Sequence, residues 1–152
     1  MPVTNVDAKW VSGDLGFTDQ SGTDVFTITN STLGMMSATG EWDAASVDKV
    51  IFVATRKYRV GSITARVTVA GTDAGAVTAQ VRKVPSGTAL TGGTVLHTGT
   101  VNLKGTANTN QVLTLSATAA DLEIASGDCI AIDFTGVLTG ATGGVTVNLI
   151  PV

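Results

Sequence analysis

Apolar and polar residues alternate with period two along most of the chain, and turn residues interrupt that alternation every few positions. Val77, Ala79 and Val81 alternate with Thr78, Gln80 and Arg82, and Ile130, Ile132 and Phe134 share one phase from Cys129 to Thr135. A long strand is predicted from Tyr58 to Ala70. In it Tyr58 and Val60 hold one phase while Ile63, Ala65, Val67 and Val69 hold the other, so a β-bulge at Gly61-Ser62 is expected to return the second half to the core. Val50 to Ala54 is an uninterrupted apolar run of strand length. Shorter strands are predicted at Thr94–Thr98 and Thr100–Lys104, meeting at Gly99, and at Gln111–Ala117. Leu122–Ile124 and Cys129–Thr135 form a further pair across Ser126-Gly127-Asp128, and Val145–Ile150 follows Gly143-Gly144. No helix-period segment exceeds a turn or two. Eight or nine short strands with turn chemistry between them predict an antiparallel, jelly-roll-like β-sandwich.

The first third reads differently. Asp14–Asp19 and Val25–Thr29 alternate on either side of Gln20-Ser21-Gly22-Thr23, which predicts a β-hairpin with Phe17, Phe26 and Ile28 on its apolar face. An isolated hairpin with so little apolar area is marginal in water, so it must pack on something else. Residues 30–46 are small and polar apart from Leu33, Met35-Met36 and Trp42, and read as a connection with room for one short strand. Charge divides the chain at the same place. Residues 1–48 carry seven acids against Lys9, for −6, whereas residues 49–152 carry eight bases and five acids, for +3. An N-terminal arm (1–48) and a sandwich body (49–152) are expected.

Composition supports the all-β reading and narrows function. The chain has 25 Thr and 20 Val, both suited to a pleated surface, with only two Glu and five Lys; charged residues make up 14%. One cysteine, Cys129, and one histidine, His97, permit no internal disulfide and no His cluster, so neither a metal nor any other cofactor is expected. A pI of about 4.8 argues against nucleic acid. No apolar run is long enough to span a membrane, and the start lacks a charged-then-apolar leader, which predicts synthesis in a reducing cytoplasm.

No catalytic residues are expected. His97 has no acid or cysteine near it in sequence, and reads as a structural histidine at a strand edge. Asp128 and Asp133 project to opposite faces, and Asp128 reads as a turn residue; Cys129 reads as a small, inert hydrophobe. Arg56-Lys57-Tyr58-Arg59 is the densest basic feature and offers a docking patch for an acidic surface. Trp10, Trp42 and Tyr58 invite comparison with a sugar-stacking platform, but packing is the favoured reading. The expected subunit or partner interface comprises Trp10, Phe17, Phe26, Ile28, Arg56, Lys57 and Arg59.

Several stretches together carry a resemblance: Lys9-Trp10-Val11-Ser12-Gly13-Asp14-Leu15, Tyr58-Arg59-Val60, Ala70-Gly71-Thr72-Asp73-Ala74-Gly75-Ala76-Val77-Thr78, Leu103 to Thr109, Ser126-Gly127-Asp128 and Asp133 to Thr139. The chain resembles capsid decoration, or cement, proteins of tailed bacteriophages over most of its length, through turns and strand edges rather than catalytic signatures. The resemblance implies a homotrimer on the outer surface of the virion capsid, clamping neighbouring subunits of the major capsid protein, with no enzymatic activity. It implies no site residues. A tail or fibre-associated structural protein and a carbohydrate-binding sandwich are the alternatives.

Overall fold

The computed structural model describes residues 35–152 and, before them, the strands β1 (Asp7–Val11), β2 (Asp14–Thr18) and β3 (Asp24–Ile28). The chain divides into two compact units at Met35/Met36. In the first, β1, β2 and β3 form an antiparallel sheet in that order. The hairpin expected from Asp14 onward is present as β2 and β3, and β1 adds a third strand that the sequence pattern does not reveal. The turn at Gln20–Thr23 lies outside the described residues. Trp10 pairs with Leu15 and Leu15 with Ile28; Ala8 pairs with Phe17 and Phe17 with Phe26.

The second unit contains β4 (Met36–Trp42), β5 (Lys49–Val53), β6 (Tyr58–Val69), β7 (Thr78–Val84), β8 (Thr94–Val95), β9 (Val101–Asn102), β10 (Thr109–Leu113), β11 (Glu123–Ile124), β12 (Cys129–Thr135) and β13 (Thr142–Pro151). Sheet 1 has the order β10-β6-β13-β4, with β11 on the same edge as β10; sheet 2 has the order β5-β12-β7-β8, with β9 beside β8. From the ends of this unit inward, β4 pairs with β13, β5 with β12, β6 with β10 and β11, and β7 with β8 and β9. That nesting is one long hairpin rolled over on itself, which is the jelly roll.

The core lies between the two sheets. Ile63, Ala65 and Val67 of β6 and Val145, Val147 and Leu149 of β13 face Ala79 and Val81 of β7 and Ile130 and Ile132 of β12, all buried. Each large aliphatic residue so buried contributes about 1.5–3 kcal/mol. In β6, Tyr58 and Val60 are buried in one phase and Ile63, Ala65 and Val67 in the other, so the phase changes at Gly61-Ser62 as the pattern requires. There the edge partner of β6 also changes, from β11 at Tyr58–Arg59 to β10 at Ile63–Val67.

Two readings need correction. Residues 36–42 are a full member of sheet 1, paired with β13 from Met36↔Leu149 to Trp42↔Gly143. The strand is hard to see in the sequence because the two inward residues at its middle, Ala38 and Gly40, are too small to signal alternation between Met36 and the buried Trp42. Gly40 must be small, since a Cβ there would collide with Ile51 and Ile132 of the facing sheet. The structural division therefore falls thirteen residues before the charge break at residue 48. Residues 1–35 carry Asp7, Asp14, Asp19 and Asp24 against Lys9, for −3, while residues 36–152 hold eight acids and eight bases. The second correction concerns β11 and β12, which do not pair with each other. β11 joins β6 in sheet 1, whereas β12 lies between β5 and β7 in sheet 2, and the turn at Ser126-Gly127 crosses between sheets.

Candidate interaction surface

Bases are few in this unit, and the fold consumes several of them. Lys83 Nζ donates to the Ala120 and Glu123 carbonyls (2.7 and 3.1 Å), Lys104 Nζ to those of Asp73 and Gly75 (2.6 and 3.2 Å), and Lys49 Nζ to that of Glu41. Arg82 is the most committed: Nε donates to Asp133 Oδ2 at 2.7 Å, and its terminal nitrogens donate to the Gly93 carbonyl at 2.8 Å and to Gln80 Oε1 at 2.6 Å. Arg56, Lys57, Arg59 and Arg66 remain on the surface, all exposed. The basic feature at 56–59 is thus a surface feature, as its composition suggests, but without its aromatic centre. Tyr58 is buried and stands edge-on to Phe52 at 5.5 Å between ring centroids. Lys57 pairs with Glu123 at 3.0 Å, and Arg59 is the register partner of the same glutamate. Both partners of that ion pair are about half exposed, so it adds little to stability.

The expected interface residues therefore fall in two places. Arg56, Lys57 and Arg59 occupy the segment from the end of β5 into the start of β6. Trp10, Phe17, Phe26 and Ile28 hold register positions in the N-terminal sheet, where Trp10 pairs with Leu15, Leu15 with Ile28, and Phe17 with Ala8 and Phe26.

The two outer faces of the sandwich differ. Sheet 1 carries cross-strand polar rows outward: Ser62, Asn148 and Ser37 are joined by hydrogen bonds of 2.8 and 2.6 Å, Thr146 faces Thr39 in register, and the Thr68 and Thr142 hydroxyls meet at 2.7 Å. A groove of about 610 Å³ crosses this face where Gly143 and Gly144 leave room between Arg66 and Asn110 on one side and Glu41 on the other. Gly143 is obligatory, because a Cβ would sit 2.6 Å from the Trp42 indole.

Sheet 2 is partly roofed. Ala131 and Val84 point outward yet are fully buried, and lie outside the main core cluster. The loop after β7 turns back over them through a short 3-10 turn, Leu90–Gly92, and Arg82 ties this loop to β12 through Gly93 and Asp133. The roof stops short of β5. Register slips between Ile130 and Ala131, so two consecutive residues, Ile51 and Phe52, both pack on the core. Their flanking neighbours Val50 and Val53 then both face outward, opposite Ala131 and Cys129, and are 45% and 58% exposed. With half-buried Cys129 they form an apolar strip along an edge strand, ending near Arg56. No alternation in Val50-Ile51-Phe52-Val53 could show which residues face out. Only the bulge decides it.

His97 is buried at the open side of β7, where its Nε2 accepts from the Val81 N–H at 3.0 Å. A backbone N–H can only donate, so the ring proton sits on Nδ1, toward the Thr98 carbonyl. Burial holds this histidine below its ordinary pKa of 6.5, which keeps it neutral and structural. Burial, with Asp128 beside it, pushes the Cys129 thiol up and makes it a poor nucleophile. Asp128 accepts from the Ala125 N–H at 3.0 Å, a turn residue as read. Among the described residues no three His, Cys, Asp or Glu side chains come together as a metal site. None of their helices is long and apolar enough to cross a membrane. Trp42 and Tyr58 lie in the core, 4% and 7% exposed, so they offer no face to a sugar.

No protein-family model matches the chain, and no curated protein matches it. Among solved structures it is similar to a chain from Bacillus endospore appendages, described as a family of disulfide-linked pili. The identity is 18% and the TM-score 0.32, over 76% of this chain and 83% of that one. A chain from the infectious bursal disease virus Gx strain gives 17% identity and a TM-score of 0.30 over 99% of this chain and 37% of that one; one from the Gt strain gives 16% and 0.21 over 100% and 47%. This chain thus spans less than half the length of either viral chain. At such TM-scores the likeness carries no argument about fold or function, and the jelly roll rests on strand order alone.

Proposed function

We propose that this chain is a structural virion protein that decorates and stabilises the outer surface of a tailed-phage capsid, bridging subunits of the major capsid protein as a homotrimer and catalysing no reaction. The observation that carries this reading is the division of labour between the two units. The jelly roll buries its own core and spends most of its strong polar groups on its own loops. The small N-terminal sheet has three strands of only five residues each, in which Trp10 pairs with Leu15, Leu15 with Ile28 and Phe17 with Phe26, and a sheet of that size is marginal by itself. A self-sufficient body joined to a small separate sheet suits a protein whose work is contact. The sequence resemblance to cement proteins points the same way. Exchange of the N-terminal sheet between copies would close a symmetric assembly.

Co-sedimentation with expanded capsids tests the reading. The full chain is expected to pellet with the heads at a stoichiometry that saturates. Replacing Arg56, Lys57 and Arg59 by Ser is expected to weaken that binding in a salt-dependent way, since exposed charges are screened over about 8 Å at physiological ionic strength. Absence of binding at any salt would remove the capsid role.

A further inference from the structure

The groove on the outer face of sheet 1 is made by leaving out one side chain. Thr68 bonds to Thr142 and Asn148 to Ser62, which in the antiparallel β6–β13 pair sets Arg66 opposite Gly144; Asn110 is the register partner of Arg66, and Glu41 that of Gly144. One row across β10, β6, β13 and β4 therefore reads Asn110, Arg66, Gly144, Glu41, with a gap where the third side chain would stand. We propose that this gap is the centre of a binding site for a neutral oligosaccharide. Such a site goes beyond the capsid role and does not depend on it.

The gap is not a by-product of packing. A Cβ at Gly143 would collide with Trp42, whereas a Cβ at Gly144 would meet its nearest neighbour, the Gly40 carbonyl, at 3.3 Å. Glycine weakens a strand interior, and where crowding does not impose it, the gain is room for a ligand to approach the backbone. The charges beside the gap are also uncommitted. Arg66 gives one N–H to Asn110 at 3.3 Å, and among the described residues no carboxylate stands within ion-pair distance of Arg66 and no base within that distance of Glu41. Trp42 lines the groove from below and is 4% exposed; among the described residues its indole N–H is the one buried side-chain donor without an acceptor.

The occupant follows from this inventory. One cation and one anion face each other across the gap, so Glu41 repels a polyanion and Arg66 repels a cation, and a neutral ligand is favoured. β6 and β13 are paired on both sides, which leaves no free edge to which an extended peptide could add as a strand. Recognition falls to side chains: the guanidinium only donates, the carboxylate only accepts, and the hydroxyls of Thr39, Thr64 and Thr146 around them do both. Adjacent hydroxyls on a sugar ring answer all three kinds of group at once, and the C–H face of the ring can rest on the bare backbone of Gly144. The groove's volume of about 610 Å³ lies within the roughly 300–1,000 Å³ of small-molecule sites. No aromatic stacking is involved, in keeping with the burial of Trp42 and Tyr58.

The test uses the full-length protein in the absence of capsids. Fluorescently labelled protein is screened on a microarray of neutral oligosaccharides beside sialylated and sulfated ones. Binding to a subset of the neutral glycans is expected; binding to none, or to the anionic ones alone, would overturn the proposal. The strongest neutral binder is then titrated calorimetrically against the wild type, Arg66→Ala and Gly144→Thr. Arg66→Ala removes an exposed side chain and should leave the thermal midpoint in place while weakening affinity about tenfold or more, the worth of a charged hydrogen bond. Gly144→Thr fills the gap with a residue suited to strands and should weaken affinity at least as much. Unchanged affinity in either variant would place the sugar elsewhere and overturn the proposal. Glycan binding without attachment to heads would leave this site standing and remove the capsid role, and attachment to heads without glycan binding would do the reverse.

Discussion

The two outer faces of the sandwich obey the same alternation and come to opposite ends. On sheet 1 most outward positions of β4, β6 and β13 are Ser, Thr, Asn, Glu and Arg, and Ser37, Ser62, Thr68, Thr142 and Asn148 are tied across strands by short hydrogen bonds. On sheet 2 the outward positions of β5, β7 and β12 include Val50, Val53, Val84, Ala131 and Cys129, and the protein hides part of them beneath a loop that Arg82 holds down. One face is finished by its own side chains. The other is finished by additional chain, and where that chain ends an apolar strip remains. Both faces flank the same core, so function follows from what the outward residues need.

Removing the roof tether should have the largest effect. Arg82→Ala leaves Asp133 charged and largely buried without its partner, and both side chains are under a fifth exposed, so the expected cost is about 3–5 kcal/mol by chemical denaturation. A loss below about 1 kcal/mol would show that the roof does not depend on this pair. Next comes the residue after Asp133 on the same strand. Phe134 points inward, packs on the core and meets Trp42 edge-on at 6.3 Å, so Phe134→Ala should cost about 3 kcal/mol; a negligible effect would reverse the in-out assignment of β12.

His97 gives a smaller, pH-dependent effect beneath the same sheet. Its folded pKa is depressed below 6.5, so the unfolded chain takes up a proton on acidification before the folded one does. Stability should therefore be full above about pH 6.5 and decline as pH falls through that value toward the folded pKa. Thermal midpoints measured from about pH 7 to about pH 5 should show the decline in the wild type and a flatter profile in His97→Gln. Least of all should come Arg66→Ala on the open face of sheet 1, where the guanidinium reaches Asn110 at 3.3 Å in solvent; a change within about 0.5 kcal/mol is expected. Two arginines on two outer faces then differ several-fold in cost. Equal costs would abolish the distinction between the faces.

The parts of this structure legible in the sequence are those where large and polar residues alternate. β6, β7 and β12 are readable to within a residue or two, including the phase change at Gly61-Ser62. β4 is not, because Ala38 and Gly40 face inward and give no apolar signal, and the smallness of Gly40 is explained only by Ile51 and Ile132 from the other sheet. A β11–β12 hairpin is the natural expectation from nearness along the chain, whereas the edge of β6 supplies the partner that β11 takes. At the candidate surface, composition locates the cations at 56, 57 and 59 but not their fates. That Lys49, Arg82, Lys83 and Lys104 serve carbonyls and a carboxylate of other strands and loops is a tertiary fact. The valine strip depends on a register slip between Ile130 and Ala131, which a four-residue apolar run cannot announce.

The central claim is that this protein works by covering one surface and presenting another. Electron cryo-microscopy of assembled particles tests it most directly. The proposed role predicts three-fold clusters of this chain on the outside of the head, with the threonine-rich face of sheet 1 toward solvent and the Val50–Val53 strip of sheet 2 removed from it. Density for the chain inside the head or absent from it, or clusters with the valine strip bare and the polar face buried, would contradict the account.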